Sequence, residues 1–179
     1  MRALLPIAHA IDKLGDGFGR FAEWAALASC LISAGNALVR YGFNIGSNAW
    51  LEIQWYLFAA CVMLGAAQVL RVNEHVRVDL LYARYSTQGK VYVDLFGLIF
   101  FLMPVMAAML YFSWPLFLDR WHSGEMSQSA GGLIRWPVIL TLPVGFALLM
   151  LQACSEIIKR VAWLRREYEM DTHYERPLQ

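Results

Sequence analysis

The sequence predicts an all-α membrane protein with four transmembrane helices, and three observations carry that expectation. Apolar residues make up 59% of the chain and charged residues 16%, against about 45–50% and about a quarter in a soluble domain. Four apolar stretches, roughly 21–39, 51–70, 91–116 and 133–158, are each long enough to cross a hydrocarbon core of about 30 Å at about 1.5 Å per helical residue. Lys and Arg are also divided unequally between the segments that join them. Arg2, Lys13 and Arg20, then Arg71, Arg77, Arg84 and Lys90, then Lys159, Arg160, Arg165, Arg166 and Arg176 fall on one side, leaving Arg40, Arg120 and Arg135 on the other. By the positive-inside rule both termini and the middle loop are cytoplasmic.

The first element precedes the spans. Leu4, Ile7, Ile11, Leu14, Phe18 and Phe21 recur at 3–4 spacing opposite Asp12, Lys13 and Asp16, which predicts an N-terminal interfacial helix on the membrane surface leading into the first span. Ala8-His9-Ala10 has the look of a signal cleavage site, but the apolar run before it is short and broken by Pro6, so no cleaved leader is expected.

Within the first span, Ala25, Ser29, Ser33 and Ala37 form a small-residue stripe on which another helix backbone, of this chain or of another protein, can approach closely. In the second span Glu52, Trp55 and Ala59 share a face, so Glu52 either bonds a neighbour at the outer boundary or faces the headgroups. The loop that follows, Arg71 to Tyr82, alternates Val with charged residues and predicts a short amphipathic segment; Asp79 would cap a helical turn that Ser86-Thr87-Gln88-Gly89 ends.

Trp114-Pro115 and Trp136-Pro137 mark the end of the third span and the start of the fourth, while Pro104 and Pro143 predict kinks inside them. Trp50, Trp55, Trp114, Trp121 and Trp136 gather at the outer boundary, with Trp24 and Trp163 at the inner one, as interface anchors do. Four spans with short connections make a single domain over 1–179, whose residues 159–179 form a cytoplasmic tail.

The central turns, 27–33, 57–63, 102–108 and 144–150, contain no ionisable residue. A self-contained ion-coupled carrier needs such groups near the midplane. His9, His75, His122 and His173 all lie outside the spans, which excludes haem held across the bundle. Cys30, Cys61 and Cys154 lack any ligand-like spacing and read as packed small side chains. No constellation of nucleophile, acid and base is visible, so neither an enzyme nor a cofactor or metal site is expected. A four-span exporter that uses Glu23 for proton coupling is the alternative reading. Glu23 is shallow, however, and the strong Lys/Arg bias opposes the dual insertion such exporters use.

The run Glu74-His75-Val76-Arg77-Val78-Asp79 after the second span, the later Gly124-Glu125-Met126-Ser127-Gln128-Ser129, Gly131-Gly132-Leu133-Ile134-Arg135-Trp136-Pro137 and Pro143-Val144-Gly145 together resemble the small membrane subunit of tripartite ATP-independent periplasmic (TRAP) transporters. The resemblance covers nearly the whole chain and rests on the order of these motifs relative to the spans. It implies a bacterial inner-membrane scaffold, with N-in and C-in topology, beside a large multi-span membrane subunit that carries solute and sodium. It also implies a periplasmic solute-binding protein that delivers a carboxylate-bearing solute, and no nucleic acid. On this reading Glu52, Arg120, Glu125 and Arg135 are candidates for the outer docking face, and Glu74, His75, Arg77 and Asp79 belong to the family-like cytoplasmic segment.

Overall fold

The computed structural model describes residues 2–73 and 85–169, all in helices and short connections apart from one isolated β-bridge. After a single 3-10 turn (Arg2–Leu4), the helices are α1 (Leu5–Phe43), α2 (Asn48–Val72), α3 (Thr87–Gly97), α4 (Met103–Ser123) and α5 (Trp136–Leu164). A π-helical turn, Leu98–Leu102, joins α3 to α4 in one continuous rod. Four helices, Arg2–Phe43, Asn48–Val72, Thr87–Ser123 and Trp136–Leu164, are long and apolar enough to cross a membrane. The segment carrying Glu74, His75, Arg77 and Asp79 lies outside the described residues, as does the end of the tail from residue 170.

Local chemistry sets the helix ends. α1 and α2 both stop at an Asn in the left-handed region, Asn44 (φ 58°) and Asn73 (φ 60°), whose amides return to Arg40 O and Leu70 O. Asn tolerates this conformation because its short polar side chain stabilises it locally. Ser86 caps α3 by accepting the Gly89 amide at 3.2 Å, so Ser86–Gly89 opens the third span. Pro104 has no amide hydrogen, and its ring disturbs the preceding turn. The wider π turn just before it, with Met103 N–H bonded to Leu98 O, absorbs that disturbance. Trp114-Pro115 does not end the helix as expected: α4 carries Pro115 internally and runs on to Ser123. Trp136-Pro137 does open α5, where a proline costs no helical hydrogen bond.

α5 is the centre of the bundle, packing against α1, α2 and the α3–α4 rod, while α1 and α2 form the other extensive pair. Alanines dominate the buried apolar side chains, and the central cluster is Ala60, Leu64, Ala67 and Leu148, with Phe18 and Val144 packed against it. Small residues let the backbones come close, which supplies dispersion where lipid offers no hydrophobic drive. A Cβ on Gly145 would lie 2.7 Å from Met63 O, so α5 crosses α2 with no room for a side chain there. The large apolar residues point outward, among them Trp24, Leu31, Phe58, Tyr111 and Phe112.

Two further expectations change, and the small-residue stripe is located. The N-terminal stretch is not a separate element: it is the first third of α1, and Ile7, Leu14 and Phe21 are its exposed side. Asp12 instead faces α5, because Gln152, Ser155 and Lys159 there offer it three donors. In the small-residue stripe, Ala25 is buried and Ser29 Oγ donates to Gln54 O at 3.3 Å, whereas Ser33 and Ala37 are exposed. A strict four-residue repeat drifts about 40° per step around a helix of 3.6 residues per turn, and three steps carry it off the contact face. The face α1 buries follows Ala8, Gly15, Gly19, Ala22 and Ala25. Lastly, Lys159 and Arg160 do not begin a solvated tail. α5 continues through them to Leu164, and both are buried.

Candidate functional site

Two groups of polar side chains fasten opposite ends of the bundle. The first lies where α2 begins and the helical hairpin α4–α5 turns. Asn48, Glu52 and Tyr56 recur every four residues along α2 and so share one face. Each grips the connection between α4 and α5: Asn48 Nδ2 donates to Ala130 O (3.1 Å), Glu52 accepts the Leu133 amide (2.6 Å) and the Ser127 hydroxyl, and Tyr56 donates its hydroxyl to Ile134 O (3.1 Å). Glu52 is only 7% exposed. At that exposure its charge needs such donors, because an unpaired buried carboxylate is costly.

The connection is itself folded back. Gly124 (φ 59°) turns the chain out of α4, Met126 and Ile134 pair antiparallel, Ser127 N–H donates to Leu133 O (2.9 Å), and Arg135 N–H donates to Glu125 O (3.0 Å). This explains why α5 starts at Trp136 and not at residue 133: the intervening backbone groups are committed to the hairpin. Arg120 and Arg135 both pair with the Glu125 carboxylate, the latter at 2.7 Å. Three of the four residues expected at this end are thus brought together on a half-exposed surface, and Glu52 reaches that surface only through the loop it holds. Trp121 and Trp136, 4.5 Å between ring centroids and edge-to-face, close the hairpin's base. Trp55 is 72% exposed and faces away from Glu52's contacts, so Glu52 shares its buried face with Ala60 and Leu64 instead.

The second group lies at the opposite end, where the Arg2 amide donates to Glu167. Gln152, Ser155, Glu156, Lys159 and Arg160 occupy one face of α5 and are all buried. Asp12 accepts from Gln152 Nε2 (2.9 Å), Ser155 Oγ (2.8 Å) and Lys159 Nζ (3.2 Å), tying α1 to α5. Glu156 pairs with both Lys159 and Arg160, and Arg160 reaches Asp94 on α3 at 3.2 Å. Arg71 at the end of α2 pairs with Asp16 and donates to Asp12 O at 3.2 Å. One connected set of opposite charges therefore joins α1, α5 and α3, and the Arg71–Asp16 pair attaches α2 beside it through the Asp12 carbonyl; each buried ion has a counter-ion, which is the condition for keeping charges out of water. Its sequence signal was the 3–4 spacing of five polar residues at the end of an apolar run. That spacing is equally what a solvated helix end shows.

Glu23 is exposed on the outward side of α1, beside Trp24 at 70% exposure. Among the described residues no group of His, Cys, Asp or Glu is placed to hold a metal ion.

Both clamps lie largely within a recognised family region. The family described as "Tripartite ATP-independent periplasmic transporters, DctQ component" matches residues 29–162, which takes in the hairpin clamp, Asp94 and the α5 charges but not Asp12. A Haemophilus influenzae protein provisionally named a TRAP transporter small permease protein is 38% identical over 65 residues. That alignment covers 36% of this chain and 40% of the relative's length. No solved structure matches the chain. The family match spans most of the chain, from the middle of α1 to nearly the end of α5, so the protein belongs to the DctQ component family, the small permease subunits of TRAP transporters.

Proposed function

We propose that this chain is the fixed frame of a TRAP-type secondary transporter in a bacterial inner membrane. It holds a large membrane subunit through its lipid-facing helix surfaces, and both of its termini are cytoplasmic. On this reading the hairpin of Arg120, Glu125 and Arg135 helps dock a periplasmic solute-binding protein, which delivers a carboxylate-bearing solute for sodium-coupled uptake by the large subunit.

The observation that carries the reading is the fastening of both bundle ends by internal polar clamps, at Glu52 and at Asp12–Lys159–Glu156–Arg160–Asp94, around helices with no ionisable residue at mid-depth. Moving carriers place charge near the midplane and leave gates free to rearrange. A bundle clamped at both ends and apolar between them is suited to standing still while a neighbour moves. The Lys/Arg distribution supports the orientation.

The test is purification from mild detergent after co-expression with the large subunit, followed by reconstitution with the binding protein. A stable complex should form, and uptake should require all three proteins. Transport by this chain alone, as an isolated homodimer, would overturn the proposal.

A further inference from the structure

A groove of 490 Å³ runs along α1, lined by Lys13, Leu14, Gly17, Phe18, Phe21 and Leu64. Its depth follows from neighbouring contacts. Arg71, at the end of α2, reaches Asp12 O and Asp16, so Lys13 is level with the last turn of α2. Leu64 lies seven residues earlier on α2, about 10 Å further toward the bilayer centre at about 1.5 Å per residue. The groove therefore begins among polar groups and ends in hydrocarbon. Its floor is open at Gly17, where a Cβ would meet nothing within 4 Å, and Leu14 and Phe21 are 45% and 52% exposed beside it.

Charge distinguishes this groove from the larger one of 540 Å³ between α3–α4 and α5. There Arg160 and Asp94 sit together at the polar end, paired at 3.2 Å. Lys13, by contrast, is an exposed cation with no ion pair or hydrogen bond among the described residues. Arg20, exposed and likewise unpaired among the described residues, follows seven residues later on the same stripe. Its long aliphatic stem lets its guanidinium snorkel back toward the headgroup level.

We propose that this groove is a binding site for an anionic phospholipid. One acyl chain lies along Gly17, Phe18, Phe21 and Leu64, and the headgroup phosphate sits on Lys13 with Arg20 as a second cation. The apolar walls argue for a lipid over free phosphate, and the two unpaired cations argue for an anionic lipid over a zwitterionic one. The site holds whichever side of the membrane the N-terminus faces.

The experiment uses the full chain in a neutral detergent, with retained lipid measured by native mass spectrometry. Palmitoyl-oleoyl phosphatidylglycerol should be retained in preference to the phosphatidylcholine of the same chains, and inorganic phosphate should not displace it. Lys13→Gln should lower retention about fivefold, as expected for loss of one cation at an anionic surface, whereas Lys13→Arg should preserve it. Gly17→Trp should block the groove and remove both lipids, and Arg165→Gln, at the same end but off the groove, should change nothing. Equal retention of the two lipids, displacement by phosphate, or wild-type retention by Lys13→Gln in a correctly folded chain would each overturn the assignment. So would crosslinking of the large subunit at residue 17 in the assembled complex with no lipid retained.

Discussion

Asp12 and Lys159, 147 residues apart in sequence, pair at 3.2 Å with side-chain exposures of 15% and 9%. The contact joins the first third of α1 to the last third of α5, beside the last turn of α2, and Glu156 shares the same ammonium. Replacing Lys159 with Met leaves Asp12 without its cation, while Glu156 keeps Arg160. Breaking a buried pair by removing one partner costs about 3–5 kcal/mol, and the residual exposure of Asp12 lowers the expected loss to about 2–4 kcal/mol. Thermal unfolding in mild detergent measures it, and Asp12→Asn added to Lys159→Met should recover part of the loss. A Lys159→Met chain as stable as wild type would remove the pair from any structural role.

Glu52→Ala should loosen the hairpin between α4 and α5 without unfolding the bundle. The substitution leaves the Leu133 amide and the Ser127 hydroxyl without their acceptor, a cost of about 1–3 kcal/mol for an unsatisfied buried group. Hydrogen exchange should accelerate at residues 127–135 and stay unchanged in α1. Uniform acceleration would mean that Glu52 supports the whole fold.

Gly145→Val should be severely destabilising, because the first added carbon would meet Met63 backbone oxygen and Cβ at 2.7 and 2.9 Å. Overpacking costs about 1–3 kcal/mol, and the obstacle here is backbone that cannot swing away. Gly35→Ala, where a Cβ meets nothing within 4 Å, is the matched control and should be neutral or slightly stabilising through helix propensity. Similar melting temperatures for the two variants would contradict the close crossing of α2 and α5.

Glu23→Gln should leave solute uptake by the assembled transporter close to wild type, since Glu23 is exposed on the outer side of α1 and belongs to neither clamp. Uptake in proteoliposomes, measured at several proton gradients, checks this. A collapse of transport that tracks the proton gradient would favour the exporter reading.

How far the sequence could be read varied with the range of the forces involved. The four spans were legible because lipid imposes length and apolarity on each segment separately. The predicted 51–70 and 91–116 lie inside α2 and the α3–α4 rod, short of the ends of α2 by less than a turn and of the rod by one to two turns. For Glu52 the sequence left open a bonded neighbour or the headgroups, and Asn48 and Tyr56 on the same face were missed, because nothing local distinguishes them from ordinary interface residues. Of the stripe expected to meet a helix of this chain or of another protein, Ala25 and Ser29 are covered within the chain, and Ser33 and Ala37 lie on its exposed surface. Lys159 and Arg160 were read as tail because a basic pair after an apolar run has the same composition whether solvated or buried.

By itself, then, the sequence determined that the chain is a four-span membrane protein, how unequally its cations are distributed, and that its mid-depth turns carry no charge. These follow from transfer free energies that act residue by residue. Only the tertiary structure decided that Asp12 turns inward, that α5 lies at the centre, and that two polar clamps close opposite ends of the bundle. Those outcomes depend on which helix faces meet, and a helix's own periodicity does not reveal whether its polar face will meet water or the opposite charges of a segment 147 residues away.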